Sequence, residues 1–262
     1  MIDGHVHLEF GPLHKDYVME FINEAKQKGI HKIQILDHTH RFVEFQPIYE
    51  NLRTHKIQDT WLNKSTKFCN RLDEFIKLME EIKQMDCGIE VAYGLEVCYV
   101  FEMETLIKDI LANYSFDFLV GAIHSIDGIL YDMSFSKELL WDKYSVDHIY
   151  RRYYELVFQL IESDLFSQLA HPDTIKLFNY YPTYDLHDTY QTLAHLLNLH
   201  HMKAENNTGC FYRYHHKDMG LSDELLSILL ENHVQIICAS DAHKPSDVGS
   251  YIKEVSKFVN SK

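Results

Sequence analysis

The chain has little of what breaks or staples a fold. It holds 5 prolines and 10 glycines in 262 residues, with no Pro/Gly/Ser-rich stretch, no repeat and no low-complexity tract. One continuous domain over residues 1–262 is therefore expected. The cysteines, Cys69, Cys87, Cys98, Cys210 and Cys238, are odd in number and lack CxxC spacing. That argues against a disulfide frame or a zinc ribbon and suits reduced thiols in a cytoplasmic protein. No run is long and apolar enough to span a bilayer, and MIDGHVHLEF lacks the regions of a signal peptide, so no membrane partner is expected. Basic charge is scarce as well: 25 Lys and Arg face 39 Asp and Glu, a formal net charge of -14. A nucleic-acid surface needs clustered cations to displace counterions, so no nucleic-acid partner is expected.

Apolar residues, at 46%, suffice for a full core. Strand-length apolar runs cover Ile2–His7, Lys32–His38, Ile89–Val97, Phe116–His124, Phe166–His171, Met202–Thr208 and Val234–His243. Helical periodicity fills the gaps near Asp16–Lys28, Lys67–Met85, Glu102–Asn113, Asp147–Ser163, Asp188–His200, Ser222–Asn232 and Pro245–Val259. Strict alternation predicts an α/β fold of parallel strands with crossover helices. About seven such units favour a closed or distorted barrel over an open, doubly wound sheet.

Histidine is the abundant residue, with 18 copies, and many stand at strand ends. These ends read His5-Val6-His7, Asp37-His38, Gly94-Leu95-Glu96, His124, His171-Pro172-Asp173 and Asp241-Ala242-His243. In an α/β barrel the C-terminal strand ends form one rim, so these groups are expected to converge there. Residues two apart on a strand share a face, so His5 and His7 can grip one metal. An HxH pair on its own is equally read as two hydrogen-bonded core histidines. Repetition of the pattern at several strand ends favours the metal reading. Imidazole and carboxylate donors without thiolate suit zinc, manganese or iron. Gly94 is expected to relieve crowding in the barrel, and Asp37 reads equally as orienting a neighbouring imidazole or as taking a backbone hydrogen bond.

Taken in order, HVH, DH, GLE, IHS, AHPD and SDAH resemble the PHP (polymerase and histidinol phosphatase) family over essentially the whole chain, and most closely its monofunctional histidinol-phosphatase branch. The resemblance implies a distorted (β/α)7 barrel with three divalent metal ions at the C-terminal strand ends. Carried over by position, it assigns His5, His7, Glu96 and Asp241 to one ion and Glu96, His124 and His171 to a second. A third falls to His14, His38 and His243, with His14 resting only on its distance from HVH. Asp241, His243 and Glu96 become the catalytic residues, the first two as candidates for handling the leaving-group proton. Arg213, where relatives place an arginine, with Lys176 and Arg41, is expected to bind phosphate. Tyr131 and Asp132 are candidates for meeting a substrate nitrogen. The other histidines match no family ligand and are expected at the surface or packed against helices, with His40 and His215 as the candidate exceptions. Relatives read GHLD where this chain has AHPD, which reshapes the loop after His171.

With three ions, and only Glu96 and Asp241 as anionic ligands, about four positive charges remain, which calls for an anionic substrate such as a small phosphate ester. The implied activity is hydrolysis of L-histidinol phosphate in histidine biosynthesis. Another phosphomonoester (phosphotyrosine or a nucleotide end) and a non-catalytic metal-binding module are the alternatives. The segment 39–66, rich in Phe, Arg and His, reads equally as a lid or as an extra packing element.

Overall fold

Largely buried runs pair into a seven-stranded parallel sheet in the computed structural model, which describes residues 1–260. The strands are β1 (Ile2–His7), β2 (Lys32–Leu36), β3 (Glu90–Cys98) and β4 (Phe118–Ala122), then β7 (Gln168–Leu169), β8 (Lys203–Asn207) and β9 (Ile236–Ala239), hydrogen-bonded in that order. A two-stranded antiparallel hairpin, β5 (Ser125–Ile126) and β6 (Ile129–Leu130), follows β4 and was not expected. The sheet curls until its edges meet: Val6 bridges Ala242 in parallel, and the His7 amide donates to the Ala242 carbonyl at 2.7 Å. Buried Asp3 on β1 reinforces this seam by accepting from the Ser240 amide (2.9 Å), the Ser240 hydroxyl (2.6 Å) and the Gly249 amide (2.7 Å). The result is the distorted seven-stranded barrel that the motifs imply. Gly94 is required inside it, since a Cβ there would lie 2.3 Å from the Phe118 carbonyl oxygen.

The helices cover the sheet: α1 (Lys15–Gln27), α2 (Lys56–Leu62), α3 (Leu72–Lys83), α4 (Glu104–Leu111), α5 (Val146–Glu162), α6 (His187–Leu199), α7 (Gly209–Tyr214), α8 (Asp223–Glu231) and α9 (Ile252–Asn260). In α3 the buried positions Leu72, Phe75, Leu78, Met79 and Ile82 recur at helical spacing and form one inward stripe. The α5 helix starts where the Ser145 hydroxyl accepts the His148 amide. No helix among the described residues is long and apolar enough to cross a membrane.

Several expected strands are shorter than their apolar runs. β2 stops at Leu36, β4 at Ala122, β7 at Leu169 and β9 at Ala239, so His38, His124, His171, Asp241 and His243 lie just past the ladders. There the backbone leaves the sheet and aims these side chains over the barrel mouth. The segment after β2 is a packing element. Its 3-10 stretch Val43–Thr54 buries Phe45, Ile48, Tyr49 and Leu52, and α2 buries Gln58 and Leu62. Each such apolar side chain contributes about 1.5–3 kcal/mol. Gln58 adds polar anchors: its amide donates to Leu52 and Gly128 carbonyls (2.8 and 2.9 Å) and accepts the Leu130 amide (2.8 Å). That stitches α2 to the β5–β6 hairpin.

Candidate metal centre

At the barrel mouth five imidazoles surround one buried carboxylate. Glu96 Oε1 lies 3.1 Å from His124 Nε2 and 3.0 Å from His171 Nε2. Its Oε2 lies 2.6 Å from His38 Nδ1 and 3.5 Å from both His5 Nε2 and His7 Nε2. Asp241 Oδ1 stands 3.2 Å from His7 Nε2 and 3.9 Å from His5 Nε2. His243 stacks on His7 with ring centroids 4.2 Å apart. Eight of the nine expected ligands therefore meet at one place. Two are delivered by uncommon backbone, Asp241 at φ 57° and His171 at φ 25°. Strained conformations of this kind persist where surrounding contacts hold them. Gly209 gives Asp241 room, because a Cβ there would sit 2.8 Å from Asp241 Oδ2.

His14 is the exception. Its side chain is 64% exposed and its Nδ1 accepts the Asp16 amide, so it serves as the N-cap of α1. Glu9 stands in the place expected for it, with Oε2 3.4 Å from His38 Nε2 and 3.6 Å from His243 Nε2. The signal was in the sequence: His5, His7 and Glu9 continue an i, i+2, i+4 series at the end of β1. A second buried carboxylate, Glu205 on β8, was also missed. Its Oε1 lies 2.7 Å from His5 Nδ1, and it takes hydrogen bonds from Gln168 Nε2 (2.8 Å), Asn207 Nδ2 (2.9 Å) and the His171 amide (3.2 Å). Glu205 thereby leaves His5 Nε2 facing the cluster. Asp132 does the same for His124, with Oδ2 3.1 Å from Nδ1. Asp37 Oδ1 lies 3.8 Å from His7 Nδ1.

Two of the three expected phosphate-binding cations are committed elsewhere. Arg41 is buried and donates to Asp37 (2.7 Å), the Leu8 and Gly11 carbonyls (both 2.8 Å) and Asn70 Oδ1 (3.0 Å). It clamps the loop after β1 and does not face the cluster. Lys176 is 4% exposed and neutralised by Asp173 (2.7 Å) and Asp218 (3.0 Å), with a further hydrogen bond to the Gly220 carbonyl (2.9 Å). A buried, doubly paired ammonium has no charge to spare for a ligand. Arg213 is where it was expected, on the pocket wall, its Nη1 3.2 Å from Asp241 Oδ1. Tyr131 is buried against Tyr153 in the core, whereas Asp132 lines the pocket. Of the unassigned histidines, His40 enters the pocket, 3.2 Å from Glu9 Oε1, and His215 caps the C-terminus of α7. Lys67, from beyond α2, also reaches Glu9, and no sequence signal pointed to it.

The acids at this place are held ionised. Burial alone would raise the Glu96 carboxyl, but His38, His5 and His124 outweigh it and hold it well below the carboxylate range. Glu9 is likewise held low against its burial, by His38, His40 and Lys67. Asp241 is held low against its burial by Arg213 and His7. Burial, His7 and Arg213 push the His243 imidazole well below its usual range, which leaves it neutral. Among the described residues three groups have donor atoms within 4.8 Å of one another: His5, His7, Asp241; His38, Glu96, His124; and His7, Glu9, His38, His243. His7 Nδ1 is buried without a hydrogen-bond partner, and His5 Nε2 faces His7 Nε2 at 2.8 Å. Lone-pair donors crowded together in a dry place fit divalent cations. Beside them opens a cavity of about 330 Å³, the size of a small-molecule site.

A family model for the PHP domain matches residues 3–209. A protein of Deinococcus radiodurans named probable histidinol-phosphatase is 26% identical over 194 residues, 72% of this chain and 72% of that protein. One of the same name from Schizosaccharomyces pombe is 25% identical over 95% of this chain and 82% of its own length. Among solved structures, a histidinol-phosphatase candidate from Listeria monocytogenes superposes with a TM-score of 0.79 at 21% identity, covering 97% of this chain and 99% of the other. The histidinol phosphate phosphatase of Lactococcus lactis, complexed with zinc, L-histidinol and phosphate, gives 0.72 at 15% identity, covering 99% and 92%.

Proposed function

The chain belongs to the PHP domain family, and from that premise we propose that it is a metal-dependent phosphatase that hydrolyses L-histidinol phosphate to L-histidinol and phosphate. The observation that carries this reading is the convergence of His5, His7, His38, Glu96, His124, His171, Asp241 and His243, joined by Glu9, around one cavity. His5, His7 and Asp241 would hold one ion. Glu96, His124 and His171 would hold a second, and Glu9, His38 and His243 a third. Ions bound there would supply Lewis acidity and charge neutralisation for attack of water on phosphorus. Zinc accompanies the Lactococcus relative, and the nitrogen and oxygen donors here accept zinc, manganese or iron.

The chain's own residues then divide the work. Glu205 and Asp132 hold the rings of His5 and His124 in one tautomer. Arg213 stays charged, its guanidinium held up by Asp241 and the neighbouring tyrosines against its burial. It reaches the pocket and presents a planar fork to phosphate oxygens. Asp241 is held ionised and His243 neutral, which suits ligands rather than donors to the leaving alkoxide. Asp132 is the pocket carboxylate outside the three donor groups, and it is the counter-charge for a cationic substrate nitrogen.

Three divalent ions would bring six positive charges, and Glu9, Glu96 and Asp241 would remove three. About three remain, one fewer than with His14 as a ligand, and a phosphate monoester dianion offsets most of them. The full donor set speaks against a non-catalytic module. Phosphate release from a panel of monoesters by the metal-loaded protein tests the reading. Histidinol phosphate is expected to exceed phosphotyrosine and nucleotide ends by more than about tenfold in kcat/KM, or roughly 1.4 kcal/mol. A flat panel overturns the named substrate. Unchanged hydrolysis in both His7→Ala and Asp241→Ala moves the reaction away from this site.

A further inference from the structure

The three donor groups are not electrostatically alike. Lys67 Nζ lies 3.0 Å from Glu9 Oε1, with its side chain 5% exposed. It is also hydrogen-bonded to His40 Nε2, and it sits 4.4 Å from the centroid of the Trp61 ring. Glu9 itself is 7% exposed, and its other oxygen, Oε2, is the one that faces His38 and His243. A divalent ion at the His7–Glu9–His38–His243 group would therefore share its one carboxylate with a buried ammonium. Like charges a few ångströms apart inside a protein repel far more than they do in water.

The other groups lack this feature. Glu96 makes ion pairs with His5, His7, His38, His124 and His171, and among the described residues no Lys or Arg reaches it. Asp241 does meet a cation, Arg213, at 3.2 Å, but that side chain is 24% exposed and opens onto the pocket, where it can turn to a bound anion. Lys67 also lines the pocket, but it is only 5% exposed and is held among Trp61, His40 and Glu9.

We propose that Lys67 is a built-in cation that weakens the third donor group, so that the protein holds two divalent ions tightly and a third that exchanges with the surrounding pool. The proposal rests on the metal-centre reading above. It makes Lys67 a positioning residue, because it acts on the ion through Glu9. His40 Nε2, 3.2 Å from Glu9 Oε1, keeps the carboxylate oriented when the ammonium is removed, so charge and geometry can be separated.

The test is metal stoichiometry rather than turnover. Full-length protein stripped with a chelator is dialysed against buffers of fixed free manganese(II), and bound manganese is counted by elemental analysis. The unsubstituted protein is expected to retain two ions per chain where the third is lost. Lys67→Met is expected to retain the third at about tenfold lower free manganese, with the first two unchanged. Lys67→Arg, which restores the cation, is expected to match the unsubstituted protein. Lys67→Gln gives the same reading as Lys67→Met should the latter fail to fold. Three ions of equal affinity in the unsubstituted protein overturn the proposal. So does a third ion that binds Lys67→Met and Lys67→Gln no more tightly than before. Absence of any manganese binding in every variant overturns the metal-centre reading itself.

Discussion

Single side chains at the barrel mouth separate into those that face the cavity and those that hold a neighbour. Glu205 is wholly buried and touches His5, Gln168, Asn207 and the His171 amide. Glu205→Gln keeps the shape and removes the charge behind His5. Metal affinity is expected to fall about 10–100-fold, read by competition with a chelator, with the far-UV spectrum unchanged. His14→Ala is the converse. His14 caps α1 from solvent, so its loss is expected to cost about 0.5–1 kcal/mol in denaturant unfolding and to leave bound metal unaltered. Loss of an ion in that variant would return His14 to the ligand set. Asp132→Asn is expected to lower kcat/KM about tenfold for substrates with a cationic amine and to spare analogues that lack it. An equal fall for both would mean that Asp132 acts only through His124. His14 and Glu9 also show what local pattern can convey. Spacing alone placed His14 in the site, but the chain turns after Leu8 and carries His14 onto a helix, while Glu9, two positions past His7 and inside that turn, stays at the barrel mouth.

At the scale of elements, the segment between β2 and α3 is held by buried side chains at both ends. Arg41 binds the loop after β1, and Gln58 binds the hairpin after β4. The inner edge of the segment brings Tyr49, Trp61 and Lys67 to the pocket wall, so it shapes substrate binding without having to close over it. Arg41→Met would leave Asp37 buried without its cation. Breaking such a pair costs about 3–5 kcal/mol, so a large fall in the unfolding midpoint is expected, with preserved Glu96–His124 geometry in a crystal structure of the variant. A stability change under about 1 kcal/mol would restore Arg41 as a free cation. Composition marked this segment as unusual and left lid and packing element level. The burial of Phe45, Ile48, Tyr49 and Leu52 decided for packing, and burial of that kind depends on surfaces supplied by the rest of the chain.

For the molecule as a whole, the donor groups draw on residues from both ends of the chain, His5 and His7 on β1 and Asp241 and His243 after β9, across the seam that closes the barrel. Ions bound there link the seam and favour the folded state alone. At a free concentration about 100 times the dissociation constant, one ion is expected to add about 2.7 kcal/mol, raising the melting temperature by roughly 5–10 °C over protein in chelator. No shift in scanning calorimetry would count against a cation at the seam. Alternation of apolar runs determined the parallel barrel, and histidines and acids at the ends of those runs determined where the site lies. Both are local, because strand and helix periods dictate which way a side chain points. Partnership is not local. Arg41, Lys176 and Arg213 are equally cationic in the sequence, yet Asp37, Asp173 and Asp218 neutralise the first two, while Arg213 opens onto the cavity. Glu205 meets His5 across 200 positions of chain, and Lys67 meets Glu9 across 58. Which charges are left free to act is a property of contacts, and only the folded chain brings those contacts into being.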